Sequence, residues 1–304
     1  MSRPGQHTGP RAERGGGDPR LPGRWSPALH AALRRPGVLV GAGLLGLLAL
    51  LAWLGPLAAP WDLTEHDHTS FLQPPSPRHW FGTDSTGRDL YVATLVGLRR
   101  SLVIGLLAAV LTTAVAVAVG TVAGYFPGRT DRLLTWLTDL AMVVPPLLVL
   151  AVLLPVAEKG GWIAFVLLLA AFGWMVTARM VRSATISLRE HEYVRAARYM
   201  GASPAAVIAR HILPNLSSLV IADVTVNVSA AIIAETSLSY FGLGVQPPDV
   251  SLGTLIADGT RHAVTHPWVF GFCTGLLVTL VLAVNLLGEG LRDALAPDSA
   301  AHRA

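Results

Sequence analysis

The chain has 304 residues, 52% of them hydrophobic and 14% charged, with mean hydropathy +0.52 and net charge +4. A soluble chain carries about 25% charged residues, whereas here apolar runs of about twenty residues recur, long enough to cross a hydrocarbon core of about 30 Å. That excludes a soluble domain and defines an all-α, polytopic membrane protein.

Residues 1–36, rich in Gly, Pro and Arg, read as a disordered basic tail. The first apolar run is Gly37–Ala59. Arg34-Arg35 before it and Leu57-Ala58-Ala59 at its end raise a signal-peptide reading, but a signal core spans about 7–15 residues. This run has 23 residues, the length of a retained anchor helix. Residues 60–98 form a polar loop. Five more spans are predicted near 102–124, 133–156, 161–180, 216–239 and 269–288, followed by a tail at 289–304. Pro145-Pro146 should kink the third span, because proline removes a helix hydrogen bond and freed carbonyls need protein or water.

Six spans place both termini on one side. With the termini inside, 17 of the 23 Lys and Arg residues fall on cytoplasmic segments and 6 outside. The positive-inside rule therefore sets cytoplasmic termini. The basic balance is a topology signal, and a nucleic-acid partner is not needed to explain it. The solvent of the spans is membrane lipid. The single Cys273 lies in an apolar run, so no intrachain disulfide forms.

In the first loop, His66-Asp67-His68 with His79 further on offers imidazoles suited to nickel, set against a plain polar loop. Asp84 to Asp89 has the look of a calcium loop but lacks enough oxygen ligands, so capping of the next helix is expected.

The segment 181–215 interrupts the apolar pattern. Ser187-Leu188-Arg189-Glu190 has the form of a capping box, predicting a helix restart there. Gly201 supplies a residue that adopts a left-handed turn without steric cost. Ser203-Pro204 reads as N-cap and first-turn proline of a second short helix ending at Leu213-Pro214. The expected result is helix, turn, helix, bent over a small surface at Ala196-Ala197 that another protein's backbone could approach closely.

In the fifth span Asp223, Asn227 and Glu235 stand out. At 100° per residue, Asn227 and Glu235 lie about 40° and 120° around from Asp223, on one face. A carboxylate at mid-membrane costs about 2.5–3.5 kcal/mol on insertion scales, so these groups face the bundle interior or a wet cavity. Interhelical hydrogen bonding and lining of a translocation path are both open to them.

No enzyme constellation is complete. A P-loop needs Gly-x-x-x-x-Gly-Lys-Ser/Thr, and Lys159, the only lysine, sits outside any such run. His191-Glu192 begins a His-Glu-x-x-His zinc pattern, but Arg195 holds the second histidine position. No catalytic residue, metal site or cofactor is expected.

Arg195-Ala196-Ala197, Gly201-Ala202-Ser203 and Leu213-Pro214 resemble the Glu-Ala-Ala loop of ABC-importer permeases, with Arg195 in place of the glutamate and His211 in place of an isoleucine. "FGTDSTGRDLYVATLVGLRRSL" (81–102), "AETSLSYFGLGVQPPDVSLGTLIADG" (234–259) and "NLLGEGLRDALAP" (285–297) are similar to C-type subunits of the dipeptide/oligopeptide and nickel permease family. The resemblance runs from about Gly37 to Pro297. It implies a type I importer core over 99–288 and a B-type permease partner. It also implies two cytoplasmic ATPases gripping the 181–215 loop and an extracytoplasmic binding protein delivering peptide. A nickel importer of the same family is the nearer alternative. An ion-coupled secondary transporter, with Asp223 and Glu235 as a proton or sodium relay, is the alternative from another class.

Overall fold

The computed structural model describes residues 35–157 and 161–295. The expected N-terminal tail up to residue 34, Lys159 and residues 296–304 lie outside the described residues. The helices, in order, are α1 (Pro36–Ala58), α2 (Leu90–Tyr125), α3 (Arg129–Val143), α4 (Pro146–Ala157) and α5 (Gly161–Arg189). Then come α6 (Glu192–Tyr199), α7 (Pro204–Val207), a π-turn (Ile208–Ile212), α8 (Leu213–Tyr240), α9 (Leu252–Thr260) and α10 (Pro267–Leu295). Among the described residues there are no strands, only two isolated bridges within the 66–89 loop.

Five helices are long and apolar enough to cross a membrane: α1, α2, α5, the continuous Pro204–Tyr240 run and α10. The stretch expected as a third span is two helices of 15 and 12 residues. Pro145 and Pro146 produce a break, sharper than the expected kink. Val144 has ψ 122°, the extended conformation forced on a residue before proline. The second span begins twelve residues earlier than expected, at Leu90, because Asp89 caps it: its Oδ1 accepts the Val92 N–H at 3.0 Å. At 36 residues, α2 is about 54 Å long at 1.5 Å per residue and serves as the axis of the bundle.

The tightest seam joins α2 to α5. A Cβ on Gly120 would lie 2.5 Å from the Ala178 carbonyl oxygen, and one on Gly124 2.6 Å from that of Arg182. This Gly-x-x-x-Gly pair lets the two backbones touch, which in lipid replaces the hydrophobic drive to associate. Around α2 the core divides into four parts, one of them Ala93 of α2 with Leu255 and Ile256 of α9 and Cys273 of α10. Leu48, Leu98, Ile232 and Leu280 join α1, α2, α8 and α10. Ile104, Phe165 and Leu238 join α2, α5 and α8. Tyr125, Val181, Val194, Val207 and Ile212 form a patch beneath α6 and α7.

The loop between α1 and α2 is fastened to the start of α2. His79 is 2% exposed, stacks on Trp61, and places Nδ1 2.9 Å from the Asp89 carboxylate. Asp84 Oδ1 accepts the Thr86 and Arg88 N–H groups at 2.7 and 3.0 Å, closing the turn that resembled a calcium loop.

Candidate functional site

Two assemblies stand out, one at each level of the bundle. The first is the elbow at the end that carries α6. The helix does not restart at Ser187. α5 runs on to Arg189, and α6 starts at Glu192 from His191, which makes no side-chain cap. The Ser187–Glu190 capping box is thus corrected, since a continuing helix leaves no free N–H groups for Ser187 to satisfy. Arg189 instead reaches back to the Gly124 and Tyr125 carbonyls at 3.4 and 3.3 Å, meeting the free C-terminal groups of α2.

Helix α6 closes with a Schellman turn. The Gly201 N–H donates to the Arg198 carbonyl at 3.0 Å and the Ala202 N–H to the Ala197 carbonyl at 3.1 Å. Gly201 has φ +85°, the left-handed region the sequence predicted. Ser203 caps α7 through its side chain, which accepts from the Ala206 N–H at 3.3 Å. The second helix, however, does not end at Leu213-Pro214. It widens through the π-turn and continues into α8. The Leu213 N–H donates to Ile208, five residues back. The wider turn accommodates Pro214, whose ring would clash with the carbonyl four residues earlier.

The expected small surface is half right. Ala196, Arg195, Ala202, Ser203, Leu213 and Pro214 are exposed, whereas Ala197 is 5% exposed. Neighbours on a helix point about 100° apart, so only one alanine of the pair can face outward. Sequence reasoning missed Tyr199 and Met200, which are 84% and 81% exposed at the apex of the elbow. Two large apolar side chains beside the glycine turn were the available signal. Behind the elbow, Arg182 grips Asp131 through two bonds of 2.5 and 2.7 Å, and Arg179 pairs with Asp139. These pairs tie α3 to α5, and the Arg182 guanidinium holds the Asp131 carboxyl below its usual range.

The second assembly lies within the spans. Asp223 is half-buried, ten residues into α8, or about 15 Å along its axis. Its Oδ1 accepts from the Thr177 hydroxyl of α5 at 3.0 Å. Its Oδ2 accepts from Asn227 at 2.7 Å and from the Thr113 hydroxyl of α2 at 3.4 Å. Glu235 stands about 18 Å further along the same helix and is fully buried. It accepts from the hydroxyls of Ser251 at 2.6 Å, Ser239 at 2.8 Å and Ser101 at 3.1 Å, knotting α8 to α2 and to the start of α9. Asp223 and Asn227 thus come together, and Glu235 forms a separate, enclosed cluster. Pro145 and Pro146 are exposed at the α3–α4 break and belong to neither. Among the described residues no group of three His, Cys, Asp or Glu side chains is placed to hold a metal ion.

A family profile described as "Binding-protein-dependent transport system inner membrane component" matches residues 116–300, and another described as "N-terminal TM domain of oligopeptide transport permease C" matches 23–75. The chain belongs to the binding-protein-dependent permease family. It is 48% identical to the oligopeptide transport system permease protein OppC of Mycobacterium bovis, over 88% of this chain and 92% of that one. It is 36% identical to OppC of Bacillus subtilis, over 90% of this chain and 89% of the other. Among solved structures, an inward-facing conformation of the MetNI methionine ABC transporter superposes with TM-score 0.55 at 20% identity, covering 67% of this chain and 96% of that one. That likeness establishes the type I importer-permease fold. The chain is therefore a multi-pass membrane permease component.

Proposed function

We propose that this permease subunit imports di- or oligopeptides as part of an ATP-driven complex, and that the elbow at Gly201 is where an ATPase engages it. The complex comprises a B-type permease that shares the translocation path, two cytoplasmic ATPases and an extracytoplasmic binding protein. It sits in a bacterial plasma membrane with both termini cytoplasmic, the broken α3–α4 stretch making the sixth crossing beside the five long spans. Peptide as cargo is supported by the names of the OppC relatives and by the high share of each chain that aligns.

The observation that carries the coupling role is the exposed apex, Tyr199 and Met200, on a turn fixed by a glycine at φ +85°. Large apolar side chains exposed on a short, rigidly capped helix are the form of an anchor inserted into a partner's cleft. Because α7 runs through the π-turn into α8, a push on the elbow moves α8, and with it Asp223, as one body. ATP-driven closure of the ATPases would then bias a two-state equilibrium of the spans between inward-open and outward-open forms.

The test is a disulfide or bifunctional crosslink from Met200→Cys, with Cys273 replaced, to the ATPase in the assembled complex. Crosslinking that changes with ATP supports the assignment. A cysteine at 200 that reacts fully with a soluble thiol reagent in the intact complex, in every nucleotide state, contradicts it.

A further inference from the structure

We infer that the Asp223 carboxylate is a station on the translocation path for the α-ammonium group of the peptide cargo. The inference rests on the peptide-importer reading above and adds which end of the peptide this chain recognises and with what.

The chemistry is set by what surrounds the carboxylate. Every group bonded to Asp223 is a neutral donor: the hydroxyls of Thr113 and Thr177 and the amide of Asn227. Among the described residues no Lys, Arg or His comes within ion-pair distance of it. The nearby arginine of α5, Arg179, is committed to Asp139, and Arg182 to Asp131. Glu235 shows the contrasting arrangement. It is fully enclosed, with hydroxyls on both oxygens and no room for a ligand. Asp223 has the same number of neutral donors but remains partly exposed, with acceptor capacity left, since a carboxylate offers about four lone-pair directions.

The donors come from three helices and are rigidly placed. Thr113 lies on α2 and Thr177 on α5, whose backbones touch along the Gly120–Gly124 seam, and Asn227 is one turn further along α8. The Asn227 amide also donates to the Thr113 hydroxyl at 3.3 Å, so these two donors orient one another. A carboxylate fixed in this way, partly exposed and without a counter-charge, is a site for a cation with several N–H donors. A free peptide presents such a cation at its N-terminus. One charge-assisted bond at a half-hydrated position gives a weak hold, which suits a station that must release its cargo.

The experiment uses the full complex in nanodiscs, without the binding protein, and measures equilibrium binding of radiolabelled trialanine and of N-acetyl-trialanine. The wild-type complex is expected to prefer the free amine by about tenfold, the scale of one hydrogen bond to a charged group. Asp223→Asn should bring trialanine down to the level of the acetylated peptide and leave the latter unchanged, while Asp223→Glu should keep part of the preference. Should Asp223→Asn fail to assemble, Thr177→Val decides. It keeps the charge, loosens its placement and should reduce the preference about two- to threefold. The inference is overturned by equal binding of the two peptides or by no binding of either. It is equally overturned by an equal loss of both in Asp223→Asn, by an unchanged preference in Thr177→Val, or by a requirement for sodium in place of the amine. ATP-dependent uptake of trialanine by the same wild-type preparation, with the binding protein added, reports separately on the importer reading. Uptake without amine preference removes the station alone, and absence of uptake removes the importer reading.

Discussion

Replacing Gly201 should uncouple transport through backbone strain alone. A Cβ added at Gly201 would meet nothing within 4 Å, so a substitution there creates no clash with the rest of the chain. What remains is the cost of φ +85° for a side chain. An L-residue in the left-handed region costs about 1–2 kcal/mol, with β-branched residues at the upper end and asparagine lower because its short polar side chain tolerates the region. Gly201→Asn, Gly201→Ala and Gly201→Val therefore form a graded series at one position. About 1.4 kcal/mol of strain lowers the population of the Schellman turn relative to alternatives tenfold, and Val exceeds that while Asn falls short. The assay is ATP-dependent peptide uptake by the reconstituted complex, paired with recovery of the ATPase on a tagged form of this chain. Both should fall in the order Asn, Ala, Val, with membrane insertion and yield unchanged. Equal uptake and equal ATPase recovery across the series would refute the coupling role of the turn.

The two alanines of the elbow should separate cleanly. Ala197→Trp overfills the patch beside Val194 and lowers thermal stability in detergent by about 1–3 kcal/mol or more, whereas Ala196→Trp leaves stability unchanged and reduces ATPase recovery. Identical behaviour of the pair would contradict the assigned burial. Glu235→Ala strands the hydroxyls of Ser101, Ser239 and Ser251, at about 1–3 kcal/mol for each group left unsatisfied, and a thermal melt no lower than wild type would remove the cluster's structural role. Outside the membrane, hydrogen bonds from the Thr69 hydroxyl and N–H and from Ser70 hold the Asp67 carboxyl well below its usual value. A depressed carboxyl contributes stability that is fully present above its unfolded pKa of about 3.9 and lost as pH falls through the lower folded value. Hydrogen exchange at Thr69 and Ser70 should therefore stay protected from neutral pH down to about pH 4 and open only below it, and loss of protection between pH 6 and 5 would contradict the assignment.

The sequence disclosed most of what rests on local rules. The lengths of the apolar runs set the spans, and Gly201 and Ser203-Pro204 set the elbow, because a positive φ, an N-cap and a first-turn proline are decided by a few neighbouring residues. What it missed depended on distant partners or on two rules in competition. The prolines at 145–146 compete with an apolar run, and the break prevailed. Pro214 reads as a terminator, yet the chain absorbed it in a π-turn and carried the helix on, visible only once the wider turn is seen. Ser187 to Glu190 satisfied a capping pattern inside a helix that never stopped. Helix α9 lies in the 234–259 stretch that carried the family resemblance but was not predicted as a helix, although Ser251 caps it and Leu252 is fully buried against α2 and α8. Asp223, Asn227 and Glu235 shared a face in projection, but the 18 Å rise between the carboxylates, about twelve residues of helix, divided them into an open cluster and a closed one.

The central claim is that this chain moves peptide only as one part of an ATP-driven assembly, and reconstitution in liposomes tests it most directly. The complete complex, with B-type permease, ATPases and binding protein, should accumulate trialanine when ATP is supplied on the ATPase side, and the purified chain alone should accumulate none under an imposed proton or sodium gradient. Peptide uptake by the chain alone, driven by such a gradient, would contradict the account and restore a carboxylate relay through Asp223 and Glu235.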